Sequence, residues 1–168
     1  MGDYKALLND PSRYAIQPMD ATHADIITRW HYEGQYHIYS MDGTYDELLN
    51  GDYYILLCDG TLIGFYCYGK SARVPLHGYD YEDNGCLDMG LGLSPDLCGQ
   101  GIGASFIKAG ILFARDAFSL QCVRLTVAGF NQRAIKVYER AGFLKRVEST
   151  HKHNGRPFII MTMKQGSK

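Results

Sequence analysis

The chain has 168 residues, a formal net charge of −1 and 46% hydrophobic residues. Its pI of about 6.6 gives no basic field that would favour nucleic acid or anionic lipid, and no apolar stretch approaches the ~20 residues of a membrane span. The length fits one domain with a continuous core. We therefore expect a single domain over residues 1–168 that binds neither nucleic acid nor membrane.

The first half of the chain predicts short elements around one tight hairpin. In chain order they are a strand over 15–18, a helix over 21–30, an aromatic helix-to-loop segment over 30–39, a helical turn over 45–49, and strands over 53–58 and 61–68. Asp20 is a typical N-cap for the first helix, and Asp59-Gly60 is a typical hairpin dipeptide. The two long strands are therefore expected to pair antiparallel.

The second half alternates strands with helices. It predicts a long loop without elements over 70–85, a strand over 86–93, a helix over 101–118, a strand over 122–127, a helix over 134–141, and strands over 143–152 and 156–164. The strand over 122–127 is nearly continuous in apolar residues, which is typical of the buried centre of a sheet. Gly142 follows the second helix as a C′ residue. The whole order predicts a mixed α/β fold.

The cysteines and histidines predict neither disulfides nor a metal site. The five cysteines are Cys58, Cys67, Cys86, Cys98 and Cys122. Because the set is odd and contains no Cys-x-x-Cys pair, we expect reduced, mostly buried thiols. The six histidines show no metal spacing. Together with an N-terminus that lacks a signal-peptide pattern, the cysteines lead us to expect a cytoplasmic protein without a metal cofactor.

The segment Cys98-Gly-Gln-Gly-Ile-Gly103 is a glycine-rich turn that opens a helix. Free amides and the positive end of the helix dipole meet at such a turn, which makes it suitable for a phosphate. Gly99, Gly101 and Ala104 also satisfy the dinucleotide fingerprint, but the turn does not follow its strand directly and no acidic residue closes the next strand. A purely structural turn is the other alternative.

A second motif runs from Asn131 to Phe143 and predicts a helix with Asn131 near its start and Tyr138 two turns later. An amide and a phenol on one helix face suggest chemistry beside a phosphate-bearing ligand. The alternative is an ordinary capped helix whose tyrosine packs on its apolar face.

Residues 86–143 resemble the GCN5-related N-acetyltransferase superfamily, through Leu91-Gly-Leu-Ser-Pro95, the glycine-rich turn and the Asn131–Phe143 helix. The resemblance implies an α/β (α+β) fold: a mixed, mostly antiparallel twisted sheet of six to seven strands with helices on both faces. It also implies acetyl-CoA as co-substrate and a primary amine as acceptor. The family's members often pair, so a homodimer is compatible with it, although the sequence itself gives no support for one.

The same resemblance implies a set of cofactor-binding residues, which carries over to Leu91, Gly92, Leu93, Cys98, Gly99, Gln100, Gly101, Ile102, Gly103, Ala104, Asn131, Ala134 and Tyr138. The amides of residues 99–104 would hold the pyrophosphate, and the backbone of Leu91 and Leu93 would pair with the pantetheine arm. Tyr138 would donate a proton to the leaving thiolate, since a phenol with a pKa near ~10 is neutral at pH 7.

Two positions depart from the family pattern. Cys98 replaces an Arg or Gln, and Thr126 stands where members that acetylate ribosomal-protein N-termini carry a Glu as base. Another group must then deprotonate the amine. Asp88 is the first candidate for this catalytic base, although it could instead face solvent or bond a loop. The further candidates are Glu82, Asp83 and Glu33.

The acceptor side is expected to contain aromatic and acidic residues, namely Trp30, Tyr32, Glu33, Tyr36, Tyr81 and Glu82. Aromatic faces and negative charges would attract a cationic amine, in a small molecule, a peptide N-terminus or a lysine. A solvated acidic loop is an equally good interpretation of residues 79–83. The alternative to an enzyme is a non-catalytic CoA-sensing or protein-interaction domain of the same fold.

Overall fold

The computed structural model describes residues 3–82 and 85–165. The helices of these residues are α1 (Tyr4–Leu8), α2 (Ala21–Thr28), α3 (Tyr45–Leu48), α4 (Gly103–Ala117) and α5 (Gln132–Ala141). The strands are β1 (Tyr14–Pro18), β2 (Tyr53–Cys58), β3 (Thr61–Tyr68), β4 (Leu87–Leu93), β5 (Cys122–Ala128), β6 (Leu144–Thr150) and β7 (Pro157–Lys164).

The strands form a seven-stranded sheet in the order β1-β2-β3-β4-β5-β7-β6. β4 and β5 run parallel, whereas β1–β2, β2–β3, β5–β7 and β6–β7 pair antiparallel. This mixed, mostly antiparallel sheet confirms the predicted fold class. The chain divides into two compact units, and β4 contributes residues to both.

The first unit contains Met1–Cys67 and Leu91–Gly110. Its centre is the β2–β3 hairpin, whose strands end and begin where Asp59-Gly60 predicts a turn. Ile55, Ile63 and Ile107 are fully buried and form part of its core. The Tyr66 hydroxyl donates to the carbonyl oxygen of Phe106 at 2.6 Å, so a buried phenol of β3 is satisfied by the backbone of α4.

The second unit contains Tyr68–Gly90 and Ile111–Lys168. In its sheet, Asp88 of β4 lies opposite Arg124 of β5, and Arg124 lies opposite Thr162 of β7. All three side chains therefore share one row across the sheet, because side chains of paired residues point to the same face. The row therefore places the charged Arg124 within β5, whose other residues are apolar except for Thr126.

Two parts of the predicted secondary structure were incomplete. The sequence pattern did not predict α1, a single short helix capped by the Asp3 side chain. Residues 70–85 also contain local structure: a turn of 3₁₀ helix at Lys70–Ala72 and a bridge from Leu76 to His151. The bridge and the bond from the Lys152 amide to the Pro75 carbonyl, at 2.9 Å, attach this loop to the end of β6.

The prediction that all the cysteines are reduced was wrong, because Cys86 and Cys122 form a disulfide with Cα atoms 4.4 Å apart. The two residues precede Leu87 and Val123, which are aligned in the parallel β4–β5 pair, and this register brings their side chains together. Cys58, Cys67 and Cys98 are not part of a disulfide. Disulfides are typical of oxidising compartments, so the cysteine pattern no longer supports a cytoplasmic location.

Among the described residues, no helix has the length and apolar character needed to cross a membrane.

Candidate active site

The glycine-rich turn has the backbone expected of an anion-binding loop. Gly99 and Gly101 have φ angles of +77° and +76°, a region that favours glycine, and α4 begins two residues later at Gly103. The Gln100 side chain donates to the Asp96 carbonyl at 2.7 Å and so braces the loop against the segment before it. The first amides of α4 have no partner within their own helix turn, which suits them to a phosphate.

The end of β4 lies beside this loop within the first unit, and an aromatic residue contacts it. The Tyr32 hydroxyl donates to the Leu93 carbonyl at 2.6 Å, and the Cys98 sulfur lies 3.6 Å from the Ser94 carbonyl oxygen. Burial, followed by the proximity of Cys98, raises the pKa of Tyr32, so this phenol stays neutral and keeps donating. The structure thus brings together Tyr32, predicted for the acceptor, and Leu93, predicted for the cofactor.

The other acceptor candidates of the first unit have separate surroundings. The Trp30 ring is half-buried, with its centroid 6.3 Å from that of Phe65. Tyr36 lies near Tyr39, with centroids 6.5 Å apart, and Glu33 is exposed at the start of the 3₁₀ segment that contains both tyrosines. Glu33 is thus accessible to solvent, whereas Trp30 packs against β3.

The two predicted functional residues of helix α5 differ in their burial and in their contacts. Asn131 is 9% exposed, and its Oδ1 accepts from the Ala134 amide at 3.1 Å, so it is the N-cap of the helix. Tyr138 is half-buried, with its ring centroid 6.0 Å from that of Phe143. Gly142 caps the C-terminus in the left-handed conformation, as predicted. The roles of Asn131, Ala134 and Tyr138 toward a cofactor stay predictions.

Asp88 occupies a buried ion-pair cluster of the second unit, with 2% exposure. Its Oδ1 accepts from the Arg124 Nε at 2.5 Å, and its Oδ2 accepts from the Arg124 Nη2 and the Arg73 Nε, both at 2.8 Å. Protonating this carboxylate would sacrifice contacts to two guanidinium groups. The geometry therefore favours the alternative in which Asp88 bonds a loop, and its role as a base stays a prediction.

Tyr81 and Glu82 lie in the loop that faces this cluster. The Tyr81 hydroxyl donates to the Val74 carbonyl at 2.8 Å and lies 3.0 Å from the Thr126 hydroxyl. Burial raises the pKa of Tyr81, so its phenol remains protonated. Glu82 is 67% exposed and pairs with Arg73 at 2.6 Å. Asp83, another candidate base, lies outside the described residues.

Sequence reasoning missed Arg124 and Arg73, which organise this part of the structure. Arg124 is a single cation inside the apolar strand β5, and Asp88 is a single acid inside β4. A lone acid in one strand and a lone cation in the next are a signal that could have predicted the pair. Arg73 carried no comparable signal, since it lies in a loop. Among the described residues there is no group of three side chains suited to a metal ion.

The family comparison is consistent with this arrangement of fold and motifs. The model of the Acetyltransferase (GNAT) family matches residues 20–143, which is more than half of the chain. The chain therefore belongs to the GNAT acetyltransferase family. The matched range includes the end of β4, the glycine-rich turn and α5.

Similar proteins of this family include a curated relative and several solved structures. The mycothiol acetyltransferase of Propionibacterium freudenreichii subsp. shermanii is 43% identical over 84 residues, which are 50% of this chain and 24% of that protein. The matched part thus spans about a quarter of the relative's length.

The solved structures align over most of both chains. A chimera of the spermidine N-acetyltransferase SpeG from Vibrio cholerae with hSSAT has a TM-score of 0.68 at 17% identity, over 90% of this chain and 95% of that one. AAC(6')-Ib in complex with ribostamycin and coenzyme A also has a TM-score of 0.68 at 17% identity, over 90% of this chain and 93% of that one. At these identities the likeness shows a shared fold.

Proposed function

We propose that this protein transfers the acetyl group of acetyl-CoA to a primary amine by direct attack. The observation that carries the proposal is the turn at residues 98–104, where two positive-φ glycines lead into the N-terminus of α4. This turn follows the end of β4, the position that family members use for the cofactor. The pyrophosphate would bind the amides of residues 99–104, and the pantetheine arm would pair with Leu91–Leu93.

The chemistry requires a neutral amine, a stabilised oxyanion and a protonated leaving group. The amine nitrogen attacks the thioester carbonyl, and a backbone amide at the end of β4 stabilises the oxyanion. Collapse of this intermediate breaks the carbon–sulfur bond, and the Tyr138 hydroxyl donates its proton to the thiolate. The ammonium proton that the amine must lose passes to a base, for which Glu82 and Glu33 are the candidates with exposed carboxylates.

The acceptor is expected to be a cationic amine in a small molecule, a peptide N-terminus or a lysine. In support, two similar structures are a spermidine N-acetyltransferase and a protein bound to ribostamycin. Glu33 in the first unit and Glu82 in the second unit are each a candidate source of negative charge for such a ligand, since both carboxylates are exposed.

Cofactor binding is tested by thermal unfolding with acetyl-CoA and with free CoA. A ligand that binds only the folded state at ~100 times its Kd adds about 2.7 kcal/mol. Gly101→Ala and Gly43→Ala form a matched pair, because both glycines have similar φ angles, +76° and +77°, and open space around them. Both variants should lose similar stability, whereas only Gly101→Ala should weaken the stabilisation by acetyl-CoA. Equal stabilisation of both variants would remove the loop from the cofactor site.

Turnover is tested by the release of CoA thiol in the presence of primary amines. Tyr138→Phe should lower kcat by about 10²–10⁴-fold, the usual contribution of a general acid, while the retained ring keeps acetyl-CoA binding close to that of the wild type. Tyr45→Phe is the control, because Tyr45 is 40% exposed and lies outside the proposed site. Binding of acetyl-CoA without turnover of any amine, and indifference to Tyr138→Phe, would favour the non-catalytic CoA-binding alternative.

A further inference from the structure

The Arg124 side chain is a fully buried cation that contacts a strand and a loop at the same time. Besides its bonds to Asp88, its Nη2 donates to the Tyr81 carbonyl at 2.7 Å and its Nη1 donates to the Tyr79 hydroxyl at 3.2 Å. Its exposure is 0%, compared with 2% for Asp88. A planar guanidinium can make such divergent bonds at once, which a lysine ammonium in the same place could not match.

The Arg124 guanidinium also packs against the two tyrosine rings of the loop. The Arg124 guanidinium carbon lies 4.9 Å from the Tyr81 ring centroid and 5.7 Å from that of Tyr79. The Arg73 guanidinium carbon lies 5.6 Å from the Tyr81 centroid. Tyr81 therefore already makes cation–π contacts with two arginines of the protein. In the described part of this loop, the exposed carboxylates of Asp80 and Glu82 remain as partners for an incoming amine, and Glu82 already pairs with Arg73.

The charges of the cluster compensate one another. An unpaired buried guanidinium is costly, and Asp88 supplies its counter-ion. Arg73 then joins Asp88 to Glu82, so the ion pairs run from the buried strand to the exposed part of the loop. Loss of Arg124 would release the Tyr81 carbonyl and the Tyr79 hydroxyl together.

We propose that Arg124 is a positioning residue for acceptor binding, which holds residues 79–82 in place through Tyr79 and Tyr81. Asp88 is the counter-ion of Arg124 and Arg73 and not the general base. This inference rests on the proposed function, in which Glu82 lies on the acceptor side. Its structural part, the fixing of the loop, is independent of any activity.

The structural part is tested by hydrogen exchange of the amides in residues 79–82. Arg124→Lys keeps the charge but loses the planar fork, and Tyr79→Phe removes one loop contact while leaving the Arg124–Asp88 pair intact. The exchange rate of the loop amides should rise about tenfold or more in Arg124→Lys, which is the change expected from the loss of one charge-assisted hydrogen bond. The rate should rise less in Tyr79→Phe. The control is Arg13→Lys, whose ion pair with Asp59 is exposed. Unchanged loop exchange in both variants would overturn the proposal.

The functional part is tested by kinetics with spermidine as the acceptor probe. In the positioning role, Arg124→Lys and Asp88→Asn raise the KM for spermidine, leave the KM for acetyl-CoA unchanged, and retain the wild-type pH dependence of kcat. If Asp88 were the base, Asp88→Asn would lower kcat by about 10²–10⁴-fold and alter its pH profile, with normal loop exchange. That result would overturn the inference. Absence of turnover by the wild type would count against the proposed function, and loop exchange would still decide the role of Arg124.

Discussion

Removal of the Cys86–Cys122 disulfide should lower the stability of the protein substantially. The two cysteines are 36 residues apart, and closing a loop of that size lowers the entropy of the unfolded chain by an amount worth about 3.8 kcal/mol at 25 °C. With a urea m-value of ~2–3 kcal/mol/M, the unfolding midpoint of the double variant Cys86→Ser/Cys122→Ser should fall by about 1.5 M. Both positions are half-buried, so the serine substitutions themselves should contribute little.

The assay is urea unfolding of protein purified without reductant, followed by circular dichroism. Reductant should lower the unfolding midpoint of the wild type toward that of the double variant, and it should leave the midpoint of the double variant unchanged. Alkylation under denaturing, non-reducing conditions should modify three thiols, at Cys58, Cys67 and Cys98, and reduction should increase the number to five. Modification of all the cysteines without reductant, or equal midpoints for wild type and variant, would refute the reasoning.

Three further changes have defined outcomes. Gly92→Ala should cost about 1–3 kcal/mol in thermal unfolding, because a Cβ there overlaps the Phe65 ring, whereas Gly129→Ala, with its nearest contact at 3.4 Å, should be close to neutral. Asn131→Ala should cost about 1 kcal/mol through loss of the α5 cap, and Asn131→Asp should retain that stability; equal losses would refute the cap. The His23 amide donates to the Asp20 carboxylate and lowers its pKa below the ordinary 3.8. The carboxylate therefore stabilises the folded protein fully above pH 3.8, and this stabilisation is lost as the pH falls through the lower pKa of the folded state. Melts of Asp20→Asn from pH 7 to 3 should therefore converge with those of the wild type at the acidic end.

Local chemistry allowed most of the secondary structure to be predicted. β2 and β3 have the predicted bounds, because two nearly continuous apolar runs and the Asp59-Gly60 turn between them act within a few residues of one another. The end of α5 was equally predictable from Gly142. The start of α4 was placed two residues early, at Gly101 instead of Gly103, since the glycine-rich turn itself has no helical signal.

The candidate site was predictable where a motif lies in one continuous segment. The turn at 98–104 and the capped helix α5 could be located by their residue spacing alone, and both have the expected local geometry. The Tyr32 hydroxyl was expected on the acceptor side, yet it contacts the Leu93 carbonyl, 61 residues along the chain. A contact over that distance depends on how the elements pack, which no local pattern contains.

The sequence by itself therefore determined the strands, the helices other than α1 and the two motifs, because these depend on interactions between near neighbours in the chain. Only the tertiary structure decided the partners of Asp88 and Cys86. The register of the parallel β4–β5 pair places Arg124 opposite Asp88 and brings Cys122 to Cys86. A shift of one residue in that register would direct each side chain to the other face of the sheet, separating the disulfide and leaving two buried charges unpaired.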